Sequence, residues 1–354
     1  MKIDFVITGM DIGGAEMQTI DLLIELKSRG HQVRLISLTP PVSQTDKLLE
    51  KNIPVISLEM KSKLNFIYAA LKLRRLILDN KTDVVHGHMF HANILVRIVK
   101  SFTRSIPVLC TAHSTYEGGR IRDCAYKLTN RFSDLNTVVS EAAWHRYISD
   151  KVFPAAKTKT VFNCINTDVF VNLKKPSDKT FHWISVGRLV SLKNHISIIK
   201  AIKLLPNSDL TIVGDGPERD YLQKYVHDNG LSDRVKFTGA QNTLSEFYNA
   251  SNAFVLASKY EGFALVVAEA MSCGLMVVAT DCGGPADIIG NNAQIGKLVT
   301  PGDDTQLYLN MNAIEKVTEI ERERFGEQAR ENVKQRFSLN KIVTEWESIY
   351  RSLI

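Results

Sequence analysis

Residues 3–30 read IDFVITGMDIGGAEMQTIDLLIELKSRG. The run 3–8 is mostly apolar and stops at Gly9, the pattern of a buried strand. Beyond it, Met17, Ile20, Leu23 and Ile24 recur at helical spacing until Gly30. Strand, Gly13-Gly14, helix is a geometry that lets a backbone approach a phosphate or a sugar. By itself the glycine pair fits a tight strand-to-helix turn equally well.

The same alternation recurs along the chain. Strand candidates fall at 32–38, 53–58, 83–87, 107–112, 135–139 and 159–166, with helix patterns between the earlier ones. The stretch 167–180, TDVFVNLKKPSDKT, is polar, holds a proline and has no period, as an interdomain join would. A second series then begins at Phe181, with LTIVG at 210–214, VKFTG at 235–239, AFVLA at 253–257 and MVVAT at 276–280. Strands alternating with helices imply parallel sheets covered on both faces, with ligands at the carboxyl ends of the strands. A chain of 354 residues is also long for one core. The expected division is 1–170 and 171–335, two doubly wound α/β domains, followed by a helix over 336–354. In that last piece Ser338 is a candidate N-cap. Ile342, Trp346, Ile349, Tyr350 and Leu353 share one face that needs a surface to cover it.

Composition narrows the class. The chain is 44% hydrophobic and 23% charged, and no apolar run reaches the length of a membrane span. MKIDFVITGM does not read as a signal peptide. Five cysteines without C-x-x-C spacing imply reduced thiols in a cytoplasmic protein, neither a disulfide set nor a zinc site. The net charge of +6 is uneven: residues 1–165 carry 23 Lys/Arg against 15 Asp/Glu. Such a half suits an anionic membrane surface or nucleic acid, or is simply well solvated. Residues 61–78 add a basic helix pattern, with Lys61, Lys63, Lys72, Arg74 and Arg75 beside Leu64, Ile67, Leu71 and Leu78. An ordinary helix packed on the sheet explains the apolar stripe equally well.

Candidate chemistry gathers at predicted strand ends. Tyr260–Asp287 reads YEGFALVVAEAMSCGLMVVATDCGGPAD. Glu261 and Glu269 lie eight apart, a spacing that places both on one face of a helix. Gly262 and the small residues after it offer free backbone N–H groups to an anion. Arg188 and Lys193 flank the turn after another strand, the parts of an anion clamp. His113 follows the 107–112 strand, and His86, His88 and His91 follow the 83–87 strand. H-x-H-x-x-H is a weak metal signal without adjacent carboxylates or thiolates. Cations and a helix start suit a diphosphate, and carboxylates suit sugar hydroxyls. A D-x-D metal motif is not present, and Arg188 with Lys193 supply the charge a divalent metal would bring.

Taken in order, GGAE (13–16), HGH (86–88), TAHSTYEGG (111–119), VGRLVSLKN (186–194), VGDGP (213–217), EGFALVVAE (261–269) and GG-P (283–285) resemble family GT4 of the retaining glycosyltransferases, over nearly the whole chain. The resemblance implies the GT-B fold, two Rossmann-like domains facing a central cleft, with the last helix crossing back to the first domain. It implies that Arg188 and Lys193 hold the donor diphosphate and that Glu261 addresses the transferred sugar. Gly214, Gly262 and the backbone of Phe263, Ala264 and Leu265 face the donor, and Glu269 holds the ribose. Gly13 and Gly14 close over the phosphates, and His113 stands near the reaction centre. The expected donor is a uridine diphosphate sugar and no cofactor or metal is required. The expected acceptor is a glycan or lipid-linked hydroxyl in bacterial envelope polysaccharide synthesis. The implied location is cytoplasmic, peripheral on the inner face of the membrane, and no nucleic acid is expected as a partner. Two departures from the family pattern are Asn163-Cys164-Ile165-Asn166 and Ala286-Asp287. A nucleotide-sugar epimerase of the same architecture is the alternative enzyme, and a non-enzymatic protein retaining the fold is the third reading.

Overall fold

The computed structural model describes residues 1–10, 13–40, 45–60, 65–103, 105–173 and 180–354. Lys61, Lys63 and Leu64 of the basic pattern lie outside the described residues, as does 174–179 of the join. The chain divides into two compact units, Met1–Cys164 with Leu339–Ile354, and Ile165–Ser338.

The first unit is built on seven described strands: β1 (Lys2–Ile7), β2 (Gln32–Ser37), β3 (Val55–Ser57), β4 (Val84–His88), β5 (Val108–Ala112), β6 (Leu135–Val138) and β7 (Thr158–Thr160). Every pairing is parallel, in the order β3-β2-β1-β4-β5-β6-β7. The second unit holds β8 (Phe181–Val186), β9 (Ser208–Val213), β10 (Val235–Gly239), β11 (Ala253–Leu256), β12 (Met276–Thr280) and β13 (Gly296–Val299). Its sheet is also parallel, in the order β10-β9-β8-β11-β12-β13. β4 and β5 are buried along their whole length, as strands covered by helices on both faces must be.

Each sheet reverses its winding direction once, between β1 and β4 and between β8 and β11. Strand ends at such a point leave a crevice because the flanking loops run off to opposite faces. Gly13 and the loop from His113 follow β1 and β5, and His88 ends β4, while Gly187 and Ser258 follow β8 and β11. The fold thus brings the candidate residues of each unit to its own switch point.

The Leu339–Leu353 helix belongs to the first unit. Its Ile342, Trp346, Ile349 and Tyr350 are buried in one core with Phe5, Leu22 and Leu23, and Leu353 packs against it. The stripe on the last helix has its surface there. Charged groups fasten the same contact: Arg29 reaches Glu347 at 3.0 Å, and His31 Nε2 lies 2.7 Å from the other Glu347 oxygen.

Two expectations are corrected. Glu261 is not on the helix that carries Glu269. That helix spans Leu265–Ser272, and Ala264 before it is left-handed at φ 68°, which an α-helix cannot continue through. Glu261 instead forms a parallel bridge to Gly283, its N–H donating to Cys282 O at 3.1 Å. β13 is an additional strand, a four-residue edge segment not among the expected ones. No helix among the described residues is long and apolar enough to cross a membrane.

Candidate functional site

In the second unit, bare backbone shapes the site. After β8 the chain turns at Gly187, and Gly214 after β9 packs on it. A Cβ at Gly214 would lie 2.0 Å from Gly187 O, and one at Gly216 2.5 Å from Leu189 O. Leu189 N–H donates to Asp215 O at 2.9 Å and Glu218 N–H to Leu189 O at 2.9 Å, which locks the two loops together. Gly284 packs on the other side of the site, where a Cβ would stand 2.2 Å from Phe263 O. The Gly-Gly-Pro turn therefore props the backbone of Phe263 just before the Leu265–Ser272 helix.

That helix begins without a side-chain cap. In its first turn Val267 N–H donates to Ala264 O at 2.9 Å, and the N–H groups of Leu265 and Val266 before it stand at the positive end of the helix dipole. Ala264 keeps its strained φ at this point, and such strain concentrates where a ligand is held.

The charges converge here. Lys193 Nζ donates to Glu261 Oε1 at 2.5 Å, and Ser258 Oγ donates to the same oxygen at 2.6 Å. Thr280 Oγ1 in turn donates to Ser258 O at 2.6 Å. Lys193 and Glu261 are both half-buried, so their attraction is less screened than a surface pair's. Arg188, on the same turn as Lys193, is exposed. Glu269, one helical turn into the helix, accepts from the buried Tyr248 hydroxyl at 2.9 Å, which fixes its carboxylate. Burial pushes the neighbouring Cys282 thiol up to about 12, so it stays protonated at neutral pH. His195 beneath the turn is held down at about 4, mainly by burial and then by Lys193.

In the first unit the polar groups are rings. His86 is fully buried, with Nδ1 2.8 Å from Tyr350 OH and Nε2 2.7 Å from Thr111 Oγ1. Both nitrogens are engaged, and this histidine ties the last helix to β5. His88 Nδ1 lies 2.9 Å from His113 Nε2, so one ring donates and the other accepts. Burial lowers His88 and His86 well below their ordinary value and His113 to about 4, so all three are neutral. His88 Nε2 and His113 Nδ1 are buried and have no hydrogen-bond partner among the described residues, which is uncommon for buried polar atoms. Among the described residues no group of three His, Cys, Asp or Glu is placed to hold a metal. Gly13 precedes the Gly14–Ser28 helix, and a Cβ there would lie 2.5 Å from a Glu16 carboxylate oxygen.

Sequence reasoning missed the partners: Ser258 and Tyr248 in the second unit, and the His88–His113 contact and Glu117 in the first. Ser258 and Tyr248 sit in stretches with no motif to mark them. Glu117 lies within TAHSTYEGG and was visible as a carboxylate in a glycine-rich loop.

The Glycosyltransferase Family 4 profile matches residues 12–169 and the Glycosyl transferases group 1 profile residues 167–332. The chain is 26% identical over 97% of its length to an N-acetyl-alpha-D-glucosaminyl L-malate synthase of Bacillus anthracis, of which it covers 95%. It is 25% identical over 98% of its length to a Campylobacter jejuni enzyme, of which it covers 97%. That enzyme is named GalNAc-alpha-(1->4)-GalNAc-alpha-(1->3)-diNAcBac-PP-undecaprenol alpha-1,4-N-acetyl-D-galactosaminyltransferase. The structure of Anabaena Alr3699/HepE in complex with UDP superposes at a TM-score of 0.88, covering all of both chains at 24% identity. Two parallel Rossmann-like sheets, their loaded switch points and these matches agree: the chain belongs to the group 1 glycosyl transferases of family GT4, with the GT-B fold.

Proposed function

We propose that this glycosyltransferase is retaining and metal-independent. It moves a hexose or N-acetylhexosamine from a uridine diphosphate sugar to a hydroxyl of a glycan or lipid-linked acceptor. The observation that carries the reading is the Lys193–Glu261 pair beside an uncapped helix start, at a switch point whose glycines admit a ligand against bare backbone. The diphosphate lies on the N–H groups at Leu265, with Lys193 and Arg188 neutralising it and stabilising it as it departs. Glu261, ion-paired with Lys193, addresses the transferred sugar, and Glu269 the ribose. Gly13 and Gly14 close over the phosphates, and His113 acts on the sugar at the reaction centre. The acceptor oxygen attacks the anomeric carbon on the face the phosphate leaves. The C–O bond to phosphate breaks, and the acceptor proton passes to the phosphate oxygen. Neighbours crystallised with UDP, and a relative named for an undecaprenol-diphosphate glycan, support the donor and acceptor classes.

The Arg120–Thr129 helix supports a peripheral contact with an anionic membrane. It exposes Arg120, Ile121, Lys127 and Leu128 together, with Ile121 86% and Leu128 72% accessible. The Phe66–Asn80 helix likewise exposes Ile67, Leu71, Arg74, Arg75 and Leu78.

The test is nucleoside diphosphate release from a panel of sugar nucleotides, with and without acceptor glycans, in the presence of a chelator. Acceptor-dependent release that survives chelation is expected. Conversion without an acceptor would identify an epimerase instead, and no turnover across the panel would overturn both.

A further inference from the structure

Glu117 lies in the loop after β5, between His113 and the Arg120–Thr129 helix. Its side chain turns back into the loop. Oε1 accepts the backbone N–H of His113 at 3.1 Å, and Oε2 accepts the Tyr126 hydroxyl. Tyr126 is itself anchored: Asn93 Nδ2 donates to its oxygen at 3.0 Å and to Thr111 O at 2.8 Å. The loop is held at other points too, with Arg122 donating to Glu117 O and Tyr147 OH to Ser114 O. Gly118 and Gly119 take φ of 115° and 85°, which lets the chain double back tightly enough for residue 117 to reach residue 113.

We infer that Glu117 is a positioning residue whose ionised carboxylate sets the backbone of His113, so that the placement of the His113 ring depends on Glu117 being charged.

Both carboxylate oxygens face donors. A proton on either one meets an N–H or an O–H that is already pointing at it. The Tyr126 hydroxyl cannot easily reverse, because Asn93 occupies its acceptor side. Protonation therefore breaks one of the two bonds and releases either His113 or the helix that carries Tyr126.

The groups facing Glu117 come from several elements. Tyr126 and Arg122 lie on its own following helix, Arg97 on the Phe90–Thr103 helix, and Tyr147 on the Glu141–Ser149 helix. Arg97 stacks over the Tyr126 ring at 4.7 Å and is spent on Asn136 at 2.6 Å, so it does not pair with the carboxylate. Burial outweighs the lowering contributions of Tyr126, the His113 N–H, Arg122 and Arg97, and brings Glu117 from 4.5 up to about 7. The contact therefore changes state within the working pH range of a cell.

This inference rests on the proposed role of His113 only for its kinetic consequence, so the test has two arms. In the first, backbone hydrogen exchange of peptides spanning 111–119 is followed in the full-length protein between about pH 5.5 and 8.5, corrected for intrinsic exchange. In the wild type the protection of His113 falls by about tenfold per pH unit below the midpoint. In Glu117→Gln protection does not vary with pH. Tyr126→Phe removes a donor that favours the charged form, so its midpoint moves to higher pH. In the second arm, UDP release from UDP-N-acetylglucosamine is measured on the same proteins. The wild type shows an acid limb in kcat that Glu117→Gln abolishes, with kcat lowered more than the donor KM is raised. Wild-type protection that ignores pH, or an acid limb unmoved in both variants, overturns the inference. Absence of any turnover with normal pH-dependent protection overturns the functional reading alone.

Discussion

At the ends of β4 and β5 the first unit gathers imidazoles and a carboxyl, and at the ends of β8, β9 and β11 the second unit packs backbone on backbone. His86, His88, His113 and Glu117 all owe shifted protonation to burial. Gly214, Gly216 and Gly284 instead sit where any Cβ would overlap a carbonyl. The same winding of strand and helix thus carries two kinds of precision. One is held by titratable side chains and responds to protons. The other is held by sterics and leaves its charges, Lys193 and Glu261, to meet an anion. The difference implies that the second unit fails when atoms are added or a charge is removed, and the first when pH changes.

The largest effect expected is on turnover. Lys193→Ala removes the cation from beside the helix start and should lower kcat by about 10²–10³-fold, the usual consequence of losing one donor to a developing anion. Lys224→Ala is the control, since Lys224 is exposed and pairs with Asp228 on its own helix. Equal kcat in the two variants, measured by UDP release, would remove Lys193 from the site. A somewhat smaller effect is expected on folding from Gly284→Ala. Its new methyl would meet Phe263 backbone, which cannot step aside, and the cost is roughly 3 kcal/mol. Urea denaturation followed by circular dichroism reads it. The comparison loses its steric half if Gly284→Ala is no less stable than Gly119→Ala, where a Cβ meets nothing within 4 Å among the described residues and only the positive φ of 85° opposes a side chain.

Glu269→Ala comes next. It should weaken UDP binding by about tenfold, measured by calorimetry, because one hydrogen-bonded carboxylate contributes about 1.5 kcal/mol or somewhat more. Tyr248→Phe separates orientation from contact. It leaves the carboxylate in place and removes one of its hydrogen bonds, so its effect should be the smaller. If Tyr248→Phe weakens UDP as much as Glu269→Ala does, then the hydroxyl, not the carboxylate, is what the nucleotide meets.

The alternation of strands and helices was readable because both sheets are parallel and buried, so their strands are apolar runs that stop at glycine or polar loops. β13 was not readable: GKLV is short, lies at an edge and is followed at once by Thr300-Pro301. The placement of Glu261 failed for a sharper reason. Its spacing from Glu269 matches two helical turns, and the apolar residues between them look like a helix face. What separates them is the left-handed Ala264, and no residue type announces that conformation when it is not glycine. Ser258, Tyr248 and Glu117 were legible as residues but not as partners. Tyr248 reaches Glu269 across 21 positions, and His88 meets His113 across 25, and only the strand order brings such pairs together.

The smallest effect sharpens the comparison most, because it sets the signs of several groups against one another. His113 is held at about 4, below its ordinary 6.5, and burial holds His88 and His86 well below that ordinary value too. Between those values the unfolded chain binds protons that the folded chain refuses, so the stability these rings permit above pH 6.5 is lost as pH falls. Glu117 acts oppositely. Raised from 4.5 to about 7, it is easier to bury protonated, so acidification relieves part of its cost. Three rings outweigh one carboxyl, and the first unit should lose about 1–2 kcal/mol between pH 7 and pH 5.5. In the second unit, His195 is similarly depressed, to about 4, and should cost less than the three together. Native-state hydrogen exchange resolved by peptide distinguishes the units. Core peptides of β4 and β5 should lose more protection on acidification than those of β11 and β12. Glu117→Gln should make the first unit more acid-sensitive still, because the relieving group is gone. Equal losses in the two units would mean that the histidines are not neutral in the folded chain. The contrast between a proton-sensitive and a sterically set strand end would then fall with them.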